Sequence, residues 1–164
     1  PQLKRLEELT ASDYQRTFAL NFYTPYRLMQ AAVRSMKPRG SGTIVNIGSF
    51  AGRRAIRNAS LYSASKFSIR GLTEAVAQEL EGTGVRCFSC SPGGINTRMR
   101  ADVFGLADAQ RQQAPQVVAD YIVDALTGRL AVPNGADLVV RHGKVAVIVN
   151  EEEARWNSSA RIAG

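Results

Sequence analysis

Three helical patterns alternate with short β-branched runs along this chain, and that alternation restricts the fold more than any other feature. Apolar residues recur at three- and four-residue spacing in Phe18, Phe22, Tyr26, Met29, Ala32, Val33 and Met36, as one buried helix face requires. Ser12 is the expected N-cap, and Pro38, Gly40 and Gly42 end the pattern. Thr43–Gly48 follows as a run that fits a strand buried on both faces. A loop from Ser49 to about Ser60 leads into a second helix, from about Leu61 to Glu81, stopped by Gly82 and Gly84. Val85–Ser91 is the next strand, broken by Pro92-Gly93-Gly94. Residues 95–114 read as irregular or weakly helical. Pro115 suits the first turn of a third helix that stops at Gly128. Two last strands flank a tight turn at His142-Gly143. Helix, strand, helix, strand, helix, strand is an α/β order, with a parallel sheet and right-handed crossovers. Residues 1–150 are expected to form one domain and residues 151–164 a loose polar tail.

The bulk composition narrows the function classes. Hydrophobic residues make up 45% and charged residues 21%, the balance of an ordinary globular protein. No apolar run reaches the roughly 20 residues that span a bilayer, and the first residues lack a secretory apolar stretch. A cytoplasmic location is expected. The net charge of +7 is spread along the chain. Its one cluster is Arg53, Arg54 and Arg57, so no nucleic-acid partner is expected. Those arginines read as a solvated surface in preference to an anion site. Cys87 and Cys90 form a C-x-x-C inside a strand, where a spacing of three puts the thiols on opposite faces. With a single histidine in the chain, buried structural thiols are expected, and no metal.

The chemistry-bearing residues follow this order of elements. Tyr62 and Lys66 are four apart on one helix and share a face. A phenol, with a reference pKa near ~10, is a poor base until a neighbouring ammonium favours the phenolate. Asn21 stands in the first helix although Asn prefers caps and turns. Ser49 falls at the C-terminal end of a strand, where open α/β sheets place ligands.

Asn21, Ser49 and Tyr62-x-x-x-Lys66, followed by Pro92-Gly93-x-x-x-Thr97, resemble in order and spacing the Asn-Ser-Tyr-Lys set and nicotinamide-side motif of the short-chain dehydrogenase/reductase family. The resemblance covers about residues 5–130. It implies a doubly wound Rossmann-type sheet, here in part, with the later strands and their helices. It also implies an NAD(P)-dependent oxidoreductase interconverting an alcohol and a ketone or aldehyde. Tyr62 would exchange a proton with the substrate oxygen, and Lys66 would tune Tyr62 and hold the nicotinamide ribose. Ser49 would bond the substrate carbonyl, and Asn21 would hold a water in a relay to Lys66. Pro92, Gly93, Ile95 and Thr97 would border the nicotinamide, with the Ile95 amide and the Thr97 hydroxyl meeting its carboxamide. Partners would be a small alcohol or carbonyl and further copies of the chain, as homodimer or homotetramer.

Other readings compete. No G-x-x-x-G-x-G turn and no Asn-Asn-Ala-Gly segment occurs here, so ~60 to 90 residues, at least two βαβ units, are expected before Pro1. The strands present would be the fifth, sixth and seventh, with an open apolar edge toward the fourth. A nucleotide-sensing scaffold without catalysis and an inactive fragment are the alternatives. NAD and NADP are not distinguished. Met99, Val103, Phe104 and Leu106 are expected to wall an apolar substrate pocket.

Overall fold

Thr10, not Ser12, caps the first helix in the computed structural model, which describes residues 3–149. Its hydroxyl accepts from the Asp13 amide at 3.1 Å, and the Asp13 carboxylate accepts from the Thr10 amide at 3.1 Å. This reciprocal arrangement uses two otherwise unpaired donors. Lys4 and Arg16 also contact Asp13, at 2.8 Å and 3.2 Å. Hydrogen bonds from Lys4 and Thr10 hold its carboxyl well below the usual carboxylate range.

The predicted helix is continuous but not uniform. α1 (Ala11–Phe18) passes through a π-helical turn, Ala19–Tyr23, into α2 (Thr24–Met36). At the end of that turn the Thr24 amide donates to the Ala19 carbonyl five residues back, and the Thr24 hydroxyl bonds the same oxygen at 2.9 Å.

The strands are β1 (Gly42–Ile47), β2 (Val85–Pro92), β3 (Asp137–Arg141) and β4 (Lys144–Ile148), in the spatial order β1-β2-β3-β4. β1 pairs parallel with β2 and β2 with β3, while β3 and β4 form an antiparallel hairpin. The hairpin turn uses His142 at φ 51° and Gly143 at φ 71°, a two-residue turn whose twist matches the flanking strands. α3 (Ser60–Glu79) crosses from β1 to β2, and α6 (Pro115–Thr127) precedes β3. α6 begins at Pro115 and ends on Gly128 at φ 80°, as its sequence signals require. Between them, the segment expected to be irregular or weakly helical holds two short helices, α4 (Arg98–Phe104) and α5 (Leu106–Gln110). Thr97 caps α4 through the Arg100 amide, and Arg100 pairs with Asp108 at 2.5 Å. That contact folds the two short helices together. The expected polar tail, 151–164, lies outside the described residues.

The sheet is covered on both faces, the doubly wound arrangement expected from the element order. On one face α2 and α3 pack Met29, Ile69, Ala77 and Leu80 against Ile44, Val85 and Cys87. On the other, α6 packs Val118 and Ala125 against Phe88, Cys90, Leu138 and Val140. Cys87 and Cys90 therefore stand in different cores, as their spacing in a strand demands. Burial pushes both thiols up to about 12. Because only the thiolate reacts, neither cysteine of the folded protein should be alkylated by iodoacetamide at pH 8. Both should react once the chain is unfolded, as intact mass would show. Labelling of the native protein would contradict the burial described here.

Candidate active site

The strand order brings the C-terminal ends of the three parallel strands to one edge of the molecule. There a cavity of ≈ 570 Å³ opens, and every residue expected to act in catalysis or to border the nicotinamide lines it: Asn21, Ser49, Tyr62, Lys66, Pro92, Gly93, Ile95 and Thr97. Met99, Val103 and Phe104 of α4 wall it as expected; Leu106 is not among its lining residues.

Each side chain has a local reason for its place. α3 runs back from the strand ends, so its first two turns carry Tyr62 and Lys66 to the cavity. Lys66 Nζ donates to the Ile47 carbonyl at the end of β1, at 3.0 Å, and lies 5.9 Å from the centre of the Tyr62 ring. Desolvation lowers the Lys66 pKa from its ordinary value, because burial disfavours the ammonium. Ser49 is extended, at φ −168° and ψ 152°, and starts a short 3₁₀ turn, Phe50–Gly52, by accepting from the Ala51 amide at 3.1 Å. Among the described residues its hydroxyl donates to no acceptor, and it lines the cavity. Gly52 presses that turn onto α3: a Cβ there would collide with the backbone of Lys66.

Asn21 sits in the π turn and donates to the Ser65 hydroxyl at 3.1 Å, and Ser65 in turn donates to the Tyr62 carbonyl at 2.8 Å. The amide thus ties the first helix to the turn of α3 that bears Tyr62. π turns inside α-helices recur at functional sites, and this one carries Asn21.

Two arrangements were missed by sequence reasoning. Arg53 is not a solvated cation. Its guanidinium bonds Asp137 at 2.9 Å, with side-chain exposures of 17% and 3%, and the Ser89 hydroxyl bonds the same carboxylate at 2.7 Å. An Asp opening the apolar strand Asp137-Leu-Val-Val was the available signal, since a buried carboxylate needs a partner. Arg141, last in β3, lies with its guanidinium 3.8 Å from the centre of the Phe50 ring. Nothing in the local sequence announces that contact.

The family model described as short chain dehydrogenase matches residues 1–105. The chain is 31% identical over 151 residues to a 3-alpha-(or 20-beta)-hydroxysteroid dehydrogenase of Mycobacterium tuberculosis, covering 90% of this chain and 58% of the relative. It therefore spans little more than half the length of that relative. Among solved structures it resembles a 3-ketoacyl-(acyl-carrier-protein) reductase from Brucella melitensis complexed with NADH, with a TM-score of 0.77 at 20% identity over 85% of this chain and 60% of that one. It also resembles ElxO with NADP bound, with a TM-score of 0.59 at 23% identity over 80% of this chain and 44% of that one. Both likenesses are of fold.

Proposed function

Because this chain belongs to the short-chain dehydrogenase family, we propose that it carries the substrate-side half of an oxidoreductase interconverting an alcohol and a ketone or aldehyde with NAD(P)(H). The observation that carries this reading is the convergence of Asn21, Ser49, Tyr62, Lys66 and the Pro92–Thr97 segment on one cavity. A scaffold without catalysis has no need of that convergence.

The residues present fit the nicotinamide end of the cofactor. Lys66 spends one donor on Ile47 and keeps two. The Ile95 amide has no acceptor among the described residues. The Thr97 oxygen is fixed by the Arg100 amide. The cofactor supplies or takes the hydride. In the carbonyl-reducing direction, the Ser49 and Tyr62 hydroxyls bond the substrate oxygen, and Tyr62 gives it a proton as charge develops. Lys66 places its ammonium beside the phenol and stabilises the phenolate left behind. Asn21 holds the Tyr62 turn through Ser65. In the oxidative direction each proton moves the other way.

Residues 1–150 act in this reading as one unit. Leu20 in the π turn, Leu28 on α2 and Phe67 on α3 are exposed, which supports a homo-oligomer joined through them. Among the described residues no helix is long and apolar enough to cross a membrane. The protein that carries this chain should oxidise NADH or NADPH in the presence of some member of a panel of ketones and aldehydes. The absorbance of the reduced nicotinamide follows the reaction, and an absence of carbonyl-dependent oxidation across the panel would overturn the proposal.

A further inference from the structure

Among the described residues, the cavity is lined by one unpaired cation that the reaction above does not use, Arg141. Lys66, Arg100, Arg141 and His142 line it, and no Asp or Glu does. Of the guanidiniums at this end of the sheet, Arg53 is taken by Asp137 and Arg100 by Asp108. The Arg141 guanidinium has no carboxylate and no hydrogen-bond acceptor among the described residues, although it is held in place. Its stem fills the space that a Cβ on Gly93 would take. The Gly93 amide donates to the Val140 carbonyl at 2.8 Å, which ties that glycine to the same strand end. Its guanidinium lies over Phe50, the residue that follows Ser49. Stacking on an aromatic face leaves the in-plane N–H groups of a guanidinium free to take a carboxylate or phosphate in bidentate fashion.

Resting on the oxidoreductase reading, we propose that Arg141 anchors an anionic group of the substrate, so that the preferred substrate is a hydroxy acid or the corresponding oxo acid. Ser49 lies beside Phe50, so the anchored anion and the reacting oxygen are bound by neighbouring parts of one wall. The apolar remainder, Met99, Val103 and Phe104, would face the carbon skeleton between them. The cofactor also carries anionic groups, its phosphates, and the same fork could take one of those. The guanidinium's place over Phe50, next to Ser49, favours the substrate.

The test uses the protein that carries this chain, loaded with NADPH or NADH. Calorimetry compares cyclohexanecarboxylate with cyclohexanecarboxamide as ligands, and kinetics compares reduction of 4-oxocyclohexanecarboxylate with that of its amide. The wild type should prefer the acid by about tenfold or more in binding and in kcat/KM. R141M should lose that preference while changing the amide by no more than about twofold, and R141K, which keeps the charge without the fork, should fall between. Cofactor affinity should be unchanged in both variants. Equal binding of acid and amide by the wild type overturns the inference, as does an equal loss on both in R141M. Weakened cofactor binding with an intact acid preference assigns Arg141 to the cofactor phosphates and also overturns it. Rapid turnover of the amide without acid preference sinks this inference alone. An Arg141-dependent acid preference in binding, with no turnover of any carbonyl, leaves the anion site standing and removes the oxidoreductase reading.

Discussion

Replacing Tyr62 by Phe is expected to lower kcat/KM for carbonyl reduction by about 10²–10⁴-fold, the range that a positioned proton donor contributes. The substitution keeps the ring, its place in the second position after the start of α3 and its distance from the Lys66 ammonium. Only the hydroxyl is lost. Lys66 keeps its bond to the Ile47 carbonyl, and Ser65 still bonds the carbonyl of residue 62, a backbone group. Cofactor affinity, read from the fluorescence of bound NADPH, should therefore stay close to that of the unaltered protein. Such a split identifies an interaction made only during reaction. Turnover near the wild-type rate would remove Tyr62 as proton donor. A parallel loss of cofactor binding would instead mean that the hydroxyl holds the site together.

Asp137→Ala should have the largest effect on stability, roughly 3 kcal/mol, because it breaks a buried ion pair on one side only. Arg53 would be left largely enclosed without a counter-charge, and the Ser89 hydroxyl without its 2.7 Å acceptor. Asp137→Asn separates these contributions. It can still accept from Ser89, so its loss should be smaller than that of the alanine variant. The double variant R53M/D137L replaces both charges by apolar groups and should recover much of the difference, since a buried pair is often replaceable as a unit. Denaturant midpoints at neutral pH give the order expected: wild type highest, Asp137→Ala lowest. An alanine variant as stable as the wild type would show that the pair contributes nothing to holding the loop.

The parts of this molecule legible in the sequence are those whose cause is local. Tyr62 and Lys66 share a face because of helix geometry alone, and Cys87 and Cys90 part company because of strand geometry alone. Pro115 and Gly128 bound α6 by their own backbone preferences. The first cap falls on Thr10 and not on the expected Ser12, because the Thr10 amide finds an acceptor in the Asp13 carboxylate. The π turn left no mark in the apolar spacing, since one extra residue in a turn shifts the pattern less than the pattern's own irregularity. α4 and α5 are too short to show a period, and their pairing rests on Arg100 and Asp108, which face each other only after the chain folds. Arg53 was misread because its partner stands 84 residues away. A charge next to two other arginines looks solvated until the strand that buries it is placed.

That separation has a consequence in time. A chain made at about 5–20 residues per second exposes Arg53 roughly 4–17 s before Asp137 is synthesised, from the 84 residues between them. Through that interval the turn bearing Ser49 has no anchor on β3, while the helix bearing Tyr62 and Lys66 becomes complete in sequence once Glu79 is added. The proposed proton-transfer pair is thus written early, and the wall that would hold a substrate against it closes only when the third parallel strand arrives.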